Sequence, residues 1–175
     1  GKGVSNASVE SVQAIRAIIF VMNKAKSLHV HDNSSITTVI PEHMMSRVGR
    51  DLDWEHLKHC HVVRCPKMHT VFMPNYYWYP FKEMETFWAA DLLMAQCIWS
   101  KGRTYSGMET HCFAKLRSTH LYSCPRLAFV LPLLWANQRS YLPNLESLHI
   151  VNCGDLKTVF PVHPVHKENV LEFPR

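Results

Sequence analysis

The pattern of hydrophobic positions along the chain repeats itself. In the last complete copy these positions, with their turn residues, are Leu142, Leu145, Leu148, Ile150, Cys153, Leu156, Val159, Phe160 and Pro161. The copy before it, at the same offsets, has Phe113, Leu116, Thr119, Leu121, Cys124, Leu127, Val130, Leu131 and Pro132. Further upstream, a third copy has Trp54, Leu57, Cys60, Val62, Cys65, Met68, Val71, Phe72 and Met73. The first copy in the chain has Met22, Ala25, Leu28, Val30, Asn33, Ile36, Val39, Ile40 and Pro41. This self-similarity predicts repeats that bury their hydrophobic faces against one another.

A poorer copy fits between the copies that begin at Trp54 and at Phe113, which are separated by about twice the usual interval. It consists of Phe81, Met84, Phe87, Ala89 and Leu92. With this copy included, the lengths of the repeats lie at or beyond the long end of the range for leucine-rich repeats. Residues 171–175 resemble the opening of one more copy. We expect the architecture to be least regular over residues 81–99.

Each copy predicts a short strand followed by a turn. In Leu148-x-Ile150 two hydrophobic side chains point to one face, because side chains alternate along a strand. The turn position after the strand holds Asn33 in the first copy, and cysteine at 65, 124 and 153 in the others. A thiol is small and is a weak hydrogen-bond donor, so it can replace the amide.

The spacing is typical of leucine-rich repeats. It predicts an α/β fold, an irregular leucine-rich-repeat solenoid with short parallel strands on the concave face and loops and short helices on the convex face. Residues 1–24 form a helical segment or a partial repeat, since hydrophobic residues recur there at helical spacing. Residues 25–175 hold four to five irregular repeats, with an insertion near 73–110.

Two stretches carry a resemblance to a known family, LPNLESLHIVNCGDLKTVFP and CFAKLRSTHLYSCPRLAFVLP. They resemble the leucine-rich repeats of plant nucleotide-binding, leucine-rich-repeat disease-resistance proteins of the cereal type, and the likeness covers roughly residues 22–175. It implies recognition of a pathogen effector, a host protein or other domains of the same receptor. The family's phosphate loop, G-x-x-x-x-G-K-[ST], is not present. The resemblance therefore brings no catalytic residue and no cofactor, and we expect a binding module, not an enzyme.

The outward strand positions form a column rich in histidine. Between the two buried positions of each strand stand His29, His61, Trp88, His120 and His149. Flanking outward positions include His31, His59, Val63, Ser118, Tyr122, Ser147 and Val151. Three interpretations remain open: a tolerated aromatic surface, a protein-recognition patch, and a metal site, which a parallel ladder does not readily build around an ion.

The titration of this column gives a further expectation. Neighbouring imidazolium charges repel each other, so these histidines should resist protonation. We therefore expect binding through this face to weaken below about pH 6.

A second candidate contact patch is the aromatic loop Tyr76, Tyr77, Trp78 and Tyr79, bounded by prolines. Loops on a rigid scaffold often carry function. The same residues could instead cover the core of the poorer copy.

The alternative function is a small zinc-binding protein, with nucleic acid as its possible partner, that uses Cys60, Cys65 and His69. Their spacing misses the usual C-x2-4-C and H-x3-5-H forms. The repeat already accounts for both cysteines, Cys60 in a strand slot and Cys65 in a turn slot.

Charge and hydropathy limit the partners and the cellular location that we expect for the chain. The net charge is +5, and Lys and Arg are scattered and do not form the basic stripe typical of nucleic-acid binding. The longest apolar run, near 14–22, contains Arg16 and is far shorter than the ~20 residues of a membrane span. No secretion signal is evident, so we expect six reduced cysteines and a cytoplasmic, or also nuclear, location. The start at Gly1 and the ending at Arg175 lead us to expect a fragment of a longer protein.

Overall fold

Parallel β-sheet is the main architecture of the chain. The computed structural model describes residues 4–40, 51–73, 81–99, 113–130 and 142–159. In chain order the elements are α1 (Val4–Lys24), β1 (Ser27–His31), β2 (His59–Val63), β3 (Thr70–Phe72), β4 (Thr86–Ala90), β5 (Cys97–Trp99), β6 (Ser118–Tyr122) and β7 (Ser147–Val151). Strands β1, β2, β4, β6 and β7 form a five-stranded sheet in that order, and β3 pairs with β5 in a second sheet. The prediction of short parallel strands is confirmed.

All four strand pairs of the five-stranded sheet share one register. The first residue of each strand lies opposite the first residue of the next, and so on through the fifth. Side chains alternate between the two faces of a strand. Equivalent residues of successive copies therefore lie in columns, and each column keeps to one face of the sheet.

The backbone between copies is bonded in the same way at each step. The N–H of Lys58 donates to the carbonyl of Lys26 at 2.8 Å, and Glu85, Arg117 and Glu146 repeat this bond with the copy before them. Directly after each strand the backbone turns left-handed, with φ between 50° and 56° at Asp32, Arg64, Asp91, Ser123 and Asn152. In the first four of these residues the N–H donates to the last carbonyl of the neighbouring strand. A common turn therefore ends each strand and ties it to the next copy.

The copy over residues 81–99 is the centre of the core. Phe81, Met84, Phe87 and Leu92 are buried, and β4 pairs in full register on both sides. The expectation that this copy is the least regular is wrong. Its buried positions hold aromatic residues and methionine in place of leucine. This weakens the sequence match to the other copies but not the packing.

Aromatic rings fill the space that joins this copy to its neighbours. Trp99 stacks on Phe72 with centroids 5.9 Å apart, and it contacts Phe87 at 4.8 Å and Phe113 at 4.9 Å. Phe81 stacks on Phe113 at 5.4 Å. Offset and edge-on aromatic pairs add to the stabilisation that comes from burial alone. The cluster therefore ties three successive copies together.

The side of the chain opposite the five-stranded sheet differs from the prediction of loops and short helices. There β3 and β5 pair in parallel, Thr70 with Cys97 and Phe72 with Trp99, and an isolated bridge joins Cys97 to Phe129. Apart from α1, the described ranges contain no further helix. Strands β4 and β5 lie inside the proposed insertion near 73–110, whereas residues 74–80, 100–112 and 171–175 lie outside the described part.

The turn position holds Leu92 in the copy over residues 81–99, and in the other copies it is filled in two chemically different ways. Oδ1 of Asn33 accepts hydrogen bonds from the N–H groups of Ser35 at 2.9 Å and Ile36 at 3.1 Å. The thiols donate instead: Sγ of Cys65 lies 3.5 Å from the carbonyl oxygen of Val63, and Sγ of Cys153 lies 3.5 Å from that of Val151. The cysteines thus have a structural role as donors, and they do not reproduce the acceptor role of Asn33.

None of the helices in the described ranges has both the length and the apolar character needed to cross a membrane.

We predict that Phe87→Ala lowers the free energy of unfolding by about 3–5 kcal/mol, because it opens a cavity beside Trp99 in a fully buried site. Urea unfolding followed by circular dichroism measures the change. Leu93→Ala is the control, since Leu93 is 52% exposed in the same copy, and we expect a change within about 0.5 kcal/mol. Equal losses in both variants would show that this copy is not the centre of the core.

Candidate functional site

The outward face of the five-stranded sheet gathers most of the residues expected to form a site. The first, third and fifth positions of the strands lie on this face. The third residues are His29, His61, Trp88, His120 and His149, which we call the ring column. The other predicted residues on this face are His31, His59, Tyr122 and Val151.

The rings of the column contact one another from strand to strand. His29 and His61 lie 4.9 Å apart between centroids and are tilted by 46°. Trp88 stacks on His120 at 4.8 Å, and His120 stacks on His149 at 4.7 Å with only 12° between their planes. These separations match the ~4.8 Å between neighbouring strands. Parallel pairing therefore brings these pairs to stacking distance, whereas the rings of His61 and Trp88 lie 6.2 Å apart with 28° between their planes.

The column widens into a platform beside Trp88. Tyr122, at the fifth position of β6, stacks on Trp88 at 5.0 Å with 26° between the ring planes. On the other side, Nδ1 of His59 lies 2.9 Å from Oγ1 of Thr86. Trp88 thus contacts His61, His120 and Tyr122 while remaining partly exposed.

Permanent charges lie at the rims of this face and not on it. At the rim before the strands, Nζ of Lys58 lies 3.0 Å from a carboxylate oxygen of Glu85. At the rim after the strands, the Arg64 guanidinium donates two hydrogen bonds to Asp32, at 2.5 and 2.7 Å. Hydrogen bonding to Arg64, and then to His31, holds the pKa of Asp32 well below its usual range. The outward strand positions hold no Asp, Glu, Lys or Arg.

The Asp32–Arg64 pair was not foreseen from the sequence. A signal for it exists, because aligning the copies places Asp32, Arg64 and Asp91 at one offset directly after successive strands. Alternating charge at a single offset predicts ion pairs between neighbouring copies.

Two histidines of the column resist protonation. Burial, followed by the neighbouring imidazoles of His29, His59 and His120, lowers the pKa of His61. Burial and then His149 lower the pKa of His120. The direction agrees with the expectation from the sequence, but its main cause is loss of hydration and repulsion comes second.

His120 has a further reason to stay neutral. Its Nδ1 atom is buried and has no hydrogen-bond partner among the described residues. The imidazolium form would place an unpaired N–H at this atom, which is costly. The neutral form that carries its proton on Nε2 avoids that cost, and the ring then presents a donor on its other nitrogen.

The alternative zinc residues are not brought together. Cys60 is fully buried in β2, where burial raises the pKa of its thiol far above its usual value. Cys65 is bonded to the carbonyl of Val63, and His69 is exposed. In the described part of the chain, no three His, Cys, Asp or Glu side chains form a group that could hold a metal ion.

The aromatic loop Tyr76, Tyr77, Trp78 and Tyr79 lies outside the described residues. Comparison with protein families, with curated proteins and with solved structures finds no match to this chain.

We predict that acidification destabilises the fold through His61 and His120. Their folded-state pKa values are lowered, so their stabilisation is complete above the unfolded value near 6.5 and is lost as pH falls through it. Urea unfolding at about pH 7.5 and about pH 5.5 measures this loss. It should be smaller in the double variant His61→Asn, His120→Asn. An equal loss in the double variant would mean that other groups set the pH dependence.

Proposed function

We propose that this chain is a leucine-rich-repeat recognition module of a plant intracellular immune receptor, and that it binds protein through the ring column. A solenoid of this class uses stacked strands as a binding surface and loops as connections. The partner is a pathogen effector, a host protein or another domain of the same receptor. The resemblance in sequence over residues 22–175 is the basis for the plant immune assignment.

The observation that carries the proposal is the ring column itself. Five parallel strands, one from each successive copy, place aromatic or imidazole rings in one row on a face without core contacts. Such rings offer a large and stiff contact area, and Trp and Tyr dominate the binding energy of many interfaces. Core packing does not require any of the five.

The arrangement favours binding over catalysis. Burial raises the pKa of the thiols of Cys60, Cys97 and Cys124, which keeps them protonated and unreactive. The histidines of the column stack on rings, and none of them has a hydroxyl or thiol at hydrogen-bond distance among the described residues. A rigid surface of this kind suits a protein partner.

The test measures binding to purified secreted proteins of cereal pathogens and to the other domains of the same receptor class. For a partner that binds the native chain, we expect Trp88→Ala to weaken binding by at least about tenfold, because it removes the central ring of the platform. His149→Ala should have a smaller effect, since His149 contacts only His120 among the column residues. Biolayer interferometry gives the affinities.

The matched control is Leu93→Ala, which removes an exposed apolar side chain that lies outside the strands of the face. Circular dichroism verifies that each variant is folded. A partner that binds Trp88→Ala and the native chain equally well, but loses affinity with Leu93→Ala, would place the interface elsewhere.

A further inference from the structure

The outward face of the five-stranded sheet is unusual in its charge. Its strand positions carry six histidines and no carboxylate: His29, His31, His59, His61, His120 and His149. The nearest acidic groups on the two rims are already engaged, Asp32 by Arg64 and Glu85 by Lys58. Asp32 also lies 3.1 Å from Nδ1 of His31, so the other five histidines are the ones without an acidic hydrogen-bond partner among the described residues.

The stacking determines which part of each ring meets a partner. Trp88, His120 and His149 stack face to face along the sheet, so both faces of His120 and one face each of Trp88 and His149 are covered within this row. Their edges are left to point outward. Ring edges carry the positive part of the aromatic quadrupole, and an imidazole edge carries an N–H donor. A row of such edges is complementary to carboxylate oxygens.

We propose that this face binds an extended acidic segment of a protein partner, and that binding is accompanied by proton uptake at the ring column. The inference rests on the proposed function, because it names the chemistry of the partner for the same surface. The column crosses five strands and so spans roughly 19 Å. An extended peptide of about six to eight residues covers that length.

The proton uptake follows from the surroundings of the two central histidines, and His61 takes the larger share because protonation of His120 leaves an unpaired N–H at its buried Nδ1 atom. His61 faces His29 on β1, Trp88 on β4 and His59 on its own strand, with His120 further along the column. His120 faces Trp88 on β4, His149 on β7 and Tyr122 on its own strand. None of these neighbours is an anion. A carboxylate that docks here is the first negative charge that the imidazoles meet, and it favours their charged form.

The sign of the pH dependence then depends on the partner. A partner without negative charge would lose affinity on acidification, as the sequence alone suggests, because the imidazolium charges repel one another and must be desolvated. For an acidic partner the sign reverses between about pH 7.5 and about pH 6.0, where histidine takes up a proton and carboxylates remain ionised.

The experiment uses a fluorescein-labelled peptide of alternating Glu and Ser, about eight residues long, with a Gln-for-Glu peptide as the matched control. Fluorescence anisotropy at low salt gives the affinities of the full chain for both. We expect the Glu peptide to bind more tightly than the Gln peptide. We also expect its affinity to rise about threefold to tenfold from pH 7.5 to 6.0, which corresponds to a net uptake of about 0.3 to 0.7 proton over this range.

Variants distinguish proton uptake at the ring column from nonspecific attraction to the positive charge of the chain. His61→Asn with His120→Asn keeps polar side chains that cannot become charged, so the rise on acidification should disappear. Lys157→Gln removes a permanent charge after β7, outside the strands of the face, and should leave the rise intact. The native-chain comparison of the Glu and Gln peptides needs no variant, so a misfolded double variant does not prevent the test.

Three outcomes would overturn the inference. These are equal affinity for the Glu and Gln peptides, affinity for the Glu peptide that stays flat or falls on acidification, and tighter binding of single-stranded DNA of the same charge. A partner from the interferometry panel that still needs Trp88 would, in any of these cases, leave the proposed function standing. If one of these outcomes is found and no partner in the panel needs Trp88, the proposed function is wrong as well.

Discussion

In-register parallel pairing is the constraint from which the other features of this chain follow. Each strand of the five-stranded sheet is bonded to the next at equivalent residues, and the bonds that flank the strands repeat from copy to copy. A slip of one residue would exchange the two faces of a strand. Cys60 and Val62 would then lie outside and His61 would enter the core. The buried columns and the ring column are thus two consequences of one register.

The sequence predicted the strands well and the chemistry between them less well. Alternation around Leu148 and Ile150 was sufficient to place β7, and the same offsets placed β1, β2 and β6. The copy at 81–99 was underestimated because Phe81 and Phe87 occupy slots where leucine was sought. The second sheet was missed, since Val71 and Phe72 appeared only as core positions. Such short strands carry too little alternation to be distinguished from a buried turn.

The hydrogen bonds of the turns and the ion pairs between neighbouring copies were the hardest to predict. The cysteines at 65, 124 and 153 were expected to replace asparagine, but the thiol of Cys65 donates where the Asn33 amide accepts. Whether a turn residue donates or accepts a hydrogen bond depends on the local path of the backbone. The spacing of residues in the sequence does not reveal that path. The Asp32–Arg64 pair likewise depends on a side chain that reaches from one copy to the next. Such pairs become visible only after the register is known.

The same stacking that makes the face rigid also favours the neutral forms of His61 and His120. Rings 4.7–4.9 Å apart exclude water from their faces, and this loss of hydration is the first cause of the lowered pKa values of His61 and His120. A surface of lysines at these positions would be permanently charged and would attract any polyanion. His61 and His120, which favour the neutral form, become charged more readily when a partner supplies a compensating carboxylate. Selectivity for a ligand with carboxylates at the right spacing can therefore come from the cost of charging the column, because a diffuse or misplaced anion does not repay that cost.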